Sequence, residues 1–161
     1  SLFNFPKDVY PVGRLDMDSE GLLIITNDKF LTDYLLNPKN KHEKEYYVQV
    51  EGIPTIESLN KLINGVVIEG RKTLPAKVKL INDPHFEQRI PPIRERKTIP
   101  TSWLSITITE GRNRQVRKMT AAVGHPTLRL VRVRIKNITL NNMKLGVVRK
   151  LSDEEVEGLK K

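Results

Sequence analysis

The sequence predicts an α+β domain built on a largely antiparallel sheet, and three observations carry that expectation. Stretches of helical period and stretches of alternating or β-branched residues intermingle without the regular strand-helix-strand rhythm of a parallel sheet. The 161 residues suffice for one well-buried core and leave little for a second, so a single domain over residues 1–161 is expected. No internal repeat or low-complexity run divides the chain.

Taken in order, Leu22 to Thr26 is short, apolar and β-branched, which predicts a buried strand closed by the turn-prone Thr26-Asn27-Asp28. Phe30, Leu31, Tyr34 and Leu35 then follow a helical face, with Asp28 as its cap and Pro38 as its stop. A basic stretch from Lys39 to Lys44 leads to a strand at Tyr46 to Val50. Thr55 caps a second helix whose Ile56, Leu59, Leu62 and Ile63 form one stripe, and Gly65 ends it. Val66–Ile68 and Ala76–Ile81 read as a strand pair across Glu69-Gly70-Arg71-Lys72.

Between Asp83 and Thr101, Pro91, Pro92 and Pro100 forbid regular ladders, while Arg89, Arg94, Arg96 and Lys97 add positive charge. Leu104, Ile106 and Ile108 alternate with Ser105, Thr107 and Thr109, the pattern of a half-buried strand. A helix follows, with Asn113 as cap, Val116, Met119, Thr120 and Val123 on one face, and Gly124 with Pro126 as stop. In Thr127 to Ile135 the apolar phase slips between Leu130 and Val131, which predicts a β-bulge there. The tail reads as a strand over Gly146 to Leu151 and a short helix in which Ser152 and Glu155 form a capping box.

Composition narrows the function. Twenty-eight Lys and Arg against nineteen Asp and Glu leave a net charge of +9, which favours a polyanionic partner, nucleic acid before an anionic membrane. With no cysteine and three scattered histidines, the sequence offers neither a thiolate nor a zinc-ligand spacing. No apolar run is long enough to span a membrane. The expectation is a soluble, cytoplasmic protein without a metal site, and a monomer for want of an apolar seam.

Chemistry has four candidate locations. The first is Asp16, in Gly13-Arg14-Leu15-Asp16 directly ahead of the apolar run. A carboxylate there serves either as a nucleophile or base beside a cationic partner, or as a turn residue bonded to its own backbone. Asp18 and Glu20 read as solvated or capping groups. The second is the acid-free basic sector holding Arg112, Arg114, Arg117, Lys118, Arg129, Arg132 and Arg134, whose unrelieved sign points to nucleic acid. One of these arginines could turn inward to pair with a buried carboxylate. Third, Tyr46 and Tyr47 are adjacent on a strand, so only one can line a given pocket; stacking on a base and ordinary strand packing both suit it. Fourth, the proline-stiffened loop with Arg94 and Arg96 suits a backbone-tracking arm.

Together, Gly13-Arg14-Leu15-Asp16, the "DSEGLLIITND" that follows, "KEYYVQVEG" and "EGRNRQVRKM" resemble, in order and spacing, the RsuA-type family of ribosomal RNA pseudouridine synthases. The "PPIRERKTIPTSWL" loop looks most like a single-domain branch acting on large-subunit ribosomal RNA. The resemblance implies the pseudouridine synthase fold and a cofactor-free isomerisation of uridine in 23S ribosomal RNA: the C1′–N1 bond breaks, the uracil turns, and C5 rejoins the sugar. It implies Asp16 as the essential aspartate, Tyr46 as the residue stacked on the flipped uracil, and Arg117 as the partner of Asp16. Arg14 would help open the RNA, and Arg112, Arg114, Lys118, Arg129, Arg132, Arg94 and Arg96 would hold it. The same chemistry on 16S ribosomal RNA or transfer RNA, and a non-catalytic RNA-binding or ribosome-assembly role, are the alternatives. Members of that family open with a strand bearing a Lys-Pro motif, and many carry an S4-type domain. Neither pattern occurs here, so the first strand is expected to be missing.

Overall fold

A computed structural model describes residues 4–90, 92–93, 98–141 and 143–161. Among these the elements run β1 (Tyr10–Pro11), β2 (Glu20–Gly21), β3 (Ile25–Thr26), α1 (Lys29–Leu36), β4 (Lys44–Glu51), α2 (Ile56–Asn64), β5 (Val67–Ile68), β6 (Arg71–Lys72), β7 (Lys77–Ile81), β8 (Thr101–Ile108), α3 (Gln115–Ala122), β9 (Thr127–Ile135), β10 (Ile138–Thr139) and α4 (Asp153–Leu159). The main sheet has the order β10-β9-β4-β8-β7, all antiparallel, with β2 added in parallel beside β9. It is the α+β, largely antiparallel architecture expected.

Alternation along β4 divides the chemistry of the two sheet faces. Val48 and Val50 point to one face, where Leu62 of α2, Leu104 and Ile106 of β8, and Met119 of α3 complete a core of fully buried side chains. Tyr47 points to the other, where Phe86 lies 6.1 Å from its ring and 5.8 Å from that of Trp103. A second core joins Val12, Leu22 and Ile24 to Leu31 and Leu35 of α1, Ile138 and Leu159.

Helix ends follow their local chemistry. Asp28 accepts from the Leu31 amide at 3.1 Å, Thr55 accepts from the Ser58 amide at 3.1 Å, and Ser152 and Glu155 form the reciprocal capping box. The α3 cap differs from expectation. Arg114, not Asn113, precedes the helix, in the left-handed region at φ 51° and without a side-chain cap.

Four strand readings are corrected by long-range pairing. Leu22 to Thr26 is extended, but it bridges two partners instead of forming one strand: the Leu22 amide donates to the Arg132 carbonyl, and β3 pairs with β1. Glu69 and Gly70, both at positive φ, close a two-residue hairpin between β5 and β6, which frees β7 to pair with β8. The strand β8, central between β4 and β7, is buried on both faces, Ser105 and Thr107 included, and Ser105 donates to the Glu45 carboxylate at 2.7 Å. Gly146 to Leu151 forms no strand, since no neighbouring edge meets it.

The bulges of β9 lie elsewhere than expected. Tyr46 faces Arg132 while Glu45 faces Arg134, so Val133 is the extra residue; a second shift leaves out Leu128. Strand β9 is buried on both faces, which hid its phase in the sequence. The Val133 bulge turns Arg132 and Arg134 to opposite faces, although they stand two residues apart.

Candidate active site

A cavity of about 830 Å³ opens between the Asp16 loop, the start of α3, the β5–β6 hairpin and the Tyr46 face of the sheet. Asp16, Lys44, Tyr46, Arg71, Arg114 and Arg132 are among its lining residues. The carboxylate reaches it from a tight turn closed by the Ser19 amide donating to the Asp16 carbonyl at 3.0 Å. Two residues beyond, Gly21 holds φ +115° and lies so close to β9 that a Cβ would stand 2.2 Å from the Arg132 carbonyl oxygen. Only glycine permits both that conformation and that approach, which seats the Asp16 turn directly on the sheet.

Ion pairs brace the same turn. Arg114 donates to both carboxylate oxygens of Asp18 at 2.9 and 2.8 Å and stands 3.5 Å from Asp16. Arg117 donates to the Asp18 carbonyl at 2.7 Å and lies 3.7 Å from its carboxylate. The Arg114 hydrogen bond above all, with the charge of Arg117 adding against an opposing effect of burial, holds the Asp18 carboxyl at about 2, below its ordinary 3.8. The expected direct pair between Asp16 and Arg117 is therefore not formed. Arg114 is the neighbour of Asp16, because the left-handed turn ahead of α3 swings its side chain across the loop.

Asp18 is ion-paired with its side chain still 40% exposed, whereas Glu20 is not solvated. Glu20 accepts two hydrogen bonds from Arg129, at 2.8 and 2.9 Å, with both side chains largely buried. Arg129 also donates to the Glu87 carbonyl and lies over the Phe86 ring. It braces the sheet where an RNA phosphate contact was expected. Arg132, 7% exposed, donates through Nε and Nη2 to the Leu22 carbonyl. Arg112 donates to the Ile68 and Arg71 carbonyls and Lys118 pairs with Glu69, so both pin the β5–β6 hairpin over the cavity. Arg14 is exposed at the rim. Arg94 and Arg96 lie outside the described residues.

Of the two tyrosines, Tyr46 lines the cavity and packs on the core beneath, and Tyr47 joins the aromatic cluster on the opposite face. Sequence reasoning missed Lys44, Arg71 and Lys72 as cavity residues. Strand alternation places Lys44 on the face of Tyr46 and was the available signal; Arg71 and Lys72 read as a turn until the hairpin carried them to the rim. Among the described residues no group of histidine, aspartate and glutamate could hold a metal ion, and no helix is long and apolar enough to cross a membrane.

A carboxylate and an aromatic ring in one cation-rimmed cavity, too wide for a lone ion, define a site for a flat polar ring carried on an anionic chain. Residues 2–122 match the RNA pseudouridylate synthase family, and the chain belongs to that family. It is 55% identical to a ribosomal large subunit pseudouridine synthase E of Vibrio parahaemolyticus over 87% of this chain and 59% of that protein. It is 40% identical to a ribosomal large subunit pseudouridine synthase B of Bacillus subtilis over 98% of this chain and 59% of that one. The chain thus spans somewhat under two thirds of these relatives' length. A crystal structure of a pseudouridylate synthase superposes with a TM-score of 0.82 at 28% identity, covering 98% of this chain and 63% of that one.

Proposed function

We propose that the protein isomerises a specific uridine to pseudouridine in large-subunit, 23S ribosomal RNA, with residues 1–161 forming one catalytic domain that acts as a monomer in the cytoplasm. The observation that carries this reading is Asp16 held at the cavity opposite Tyr46 with a guanidinium 3.5 Å away. The relatives named for the large ribosomal subunit support the substrate.

In this reading Asp16 is the essential carboxylate and Arg114 its counter-charge. The target nucleotide swings out of its stack into the cavity, at a cost of a few kcal/mol that phosphate contacts offset. Arg14 at the rim and Arg71 and Lys72 on the hairpin are exposed and placed to supply those contacts. Tyr46 receives the uracil face and, with the closed floor beneath it, keeps water from the detached base. Arg117 acts through Asp18, fixing the turn that aims Asp16.

Nucleoside chromatography of unmodified 23S ribosomal RNA, after incubation with the protein and with Asp16→Asn, tests the proposal. Pseudouridine is expected only from the unsubstituted protein, with RNA affinity nearly equal in the two. Equal turnover by Asp16→Asn would remove Asp16 from the mechanism, and pseudouridine on 16S ribosomal or transfer RNA alone would move the substrate.

A further inference from the structure

Among the described residues, the two cations that flank Tyr46 in the sheet, Lys44 and Arg132, have no carboxylate within 4.0 Å. Lys44 Nζ donates to the Glu110 backbone carbonyl at 3.1 Å, leaving two of its three protons uncommitted. Arg132 donates to the Leu22 carbonyl alone, through Nε and Nη2. Arg114 in the same cavity, and Arg129 and Arg134 on the strand that carries Arg132, each have a carboxylate within 4.0 Å. Burial first, then the charge of Arg132, pushes the Lys44 ammonium below its ordinary pKa. Among the described residues no carboxylate forms an ion pair with either group, although Asp16 and Glu110 line the same cavity.

Register puts this charge around Tyr46. Lys44 is two residues before Tyr46 on the same face of β4, about 7 Å along the strand. Arg132 is the cross-strand partner of Tyr46 and shares its face, in unbroken register with the Val131–Tyr47 and Leu130–Val48 pairs. A planar ring stacked on Tyr46 would therefore have a cation at two of its edges. Nothing in binding a neutral uracil requires two uncompensated cations there.

Isomerisation does. When C1′–N1 breaks, the bonding pair leaves on the base and spreads over N1, O2 and O4. C1′ is satisfied by bonding to Asp16 or by loss of the C2′ proton to it. When C5 attacks C1′, the pair returns through C5, Asp16 gives back what it took, H5 leaves as a proton and N1, now free of the sugar, takes one up, so no hydrogen is lost overall. Between the two events the detached uracil is an anion. We propose, on the reading of the function given above, that Lys44, assisted by Arg132, is a catalytic residue that stabilises the negative charge of the detached uracil. Fixed charge aimed at where a reaction develops charge acts strongly in a site closed to water.

Lys44→Met, Lys44→Gln and Lys44→Arg should be compared with the unsubstituted protein by RNA affinity and by the single-turnover rate at which the N-linked nucleoside is consumed, on RNA carrying uridine or 5-fluorouridine at the target. Fluorine cannot leave C5 as H5 does, so the second substrate is read at the C1′–N1 cleavage and rejoining and gives no pseudouridine. Lys44→Met is expected to lose about 10²- to 10³-fold in rate, the effect of removing one such donor. Its affinity should stay within about threefold, and Lys44→Arg, which keeps the charge, should recover most of the rate. Fluorine at C5 withdraws charge from the ring anion, so the Lys44→Met deficit should shrink on 5-fluorouridine; a structural defect would reduce both substrates alike. Lys44→Gln carries the same comparison if Lys44→Met fails to fold by circular dichroism. A lost affinity at unchanged rate would make Lys44 a phosphate contact, and an equal deficit on both substrates would make it structural; either overturns the proposal. No pseudouridine from the unsubstituted protein on the uridine RNA would overturn the functional reading itself, and this proposal with it.

Discussion

Breaking the Glu20–Arg129 pair measures how firmly the Asp16 loop is seated. Glu20 ends that loop and Arg129 belongs to β9, and their side chains are 14% and 10% exposed with two hydrogen bonds between them. Removing one member of such a pair leaves a charge with little water around it, at a typical cost of about 3 kcal/mol. Arg129 retains the Glu87 carbonyl and the Phe86 ring, which places Glu20→Gln nearer 2 and Glu20→Ala nearer 3, on the order of kcal/mol. For a chain of this size the Ala variant should then melt about 6–12 °C lower. Urea unfolding of Glu20→Gln, Arg129→Met and the double variant completes a cycle, with a coupling of about 1–3 kcal/mol expected. A coupling below about 0.5 kcal/mol would refute the argument that this pair holds the loop on the sheet.

Three further outcomes follow from the same geometry. Gly21→Ala meets both a positive φ and the Arg132 carbonyl, so it should destabilise by about 2–4 kcal/mol in urea unfolding and abolish turnover by lifting the Asp16 turn. Asp18 has its folded pKa depressed from 3.8 to about 2, so its contribution is complete above about pH 4 and fades as pH falls through about 2. With its side chain 40% exposed, that contribution is about 1 kcal/mol, and the stability gap between the unsubstituted protein and Asp18→Asn should be flat from about pH 7 to 5 and narrow below about pH 4. Leu62→Ala, at a fully buried site, should cost about 2–5 kcal/mol by thermal melting while leaving the catalytic rate of the folded fraction unchanged.

Local chemistry was legible in the chain itself. The helices at Lys29–Leu36, Ile56–Asn64 and Asp153–Leu159 were marked by their caps and stops, because Asp28, Thr55 and Ser152 bond to amides three residues away. The antiparallel class followed from the strand patterns, and the division of Tyr46 from Tyr47 followed from period two alone. Asp16 was found from the charge placed ahead of an apolar run, and its assignment as a candidate drew on the motif resemblance.

Pairing between distant segments was not legible, since it depends on which edges meet and not on neighbouring residues. Seven of the chain's basic side chains looked equivalent between Arg112 and Arg134, yet Arg129 binds Glu20, Arg114 and Arg117 share Asp18, and Arg134 joins Glu43 and Glu45. A charge reads as a surface group until tertiary contacts supply a partner and remove its water. By itself the sequence determined the helices, three of their four N-terminal caps and the candidate aspartate, the helices and caps because they rest on contacts a few residues long. Only the tertiary structure decided that Arg114 stands beside Asp16, that pairing with Tyr46 sets Arg132 in the cavity while the Val133 bulge turns Arg134 away, and that Lys44 faces the cavity with no carboxylate within 4.0 Å among the described residues, because each depends on contacts between segments far apart in the chain.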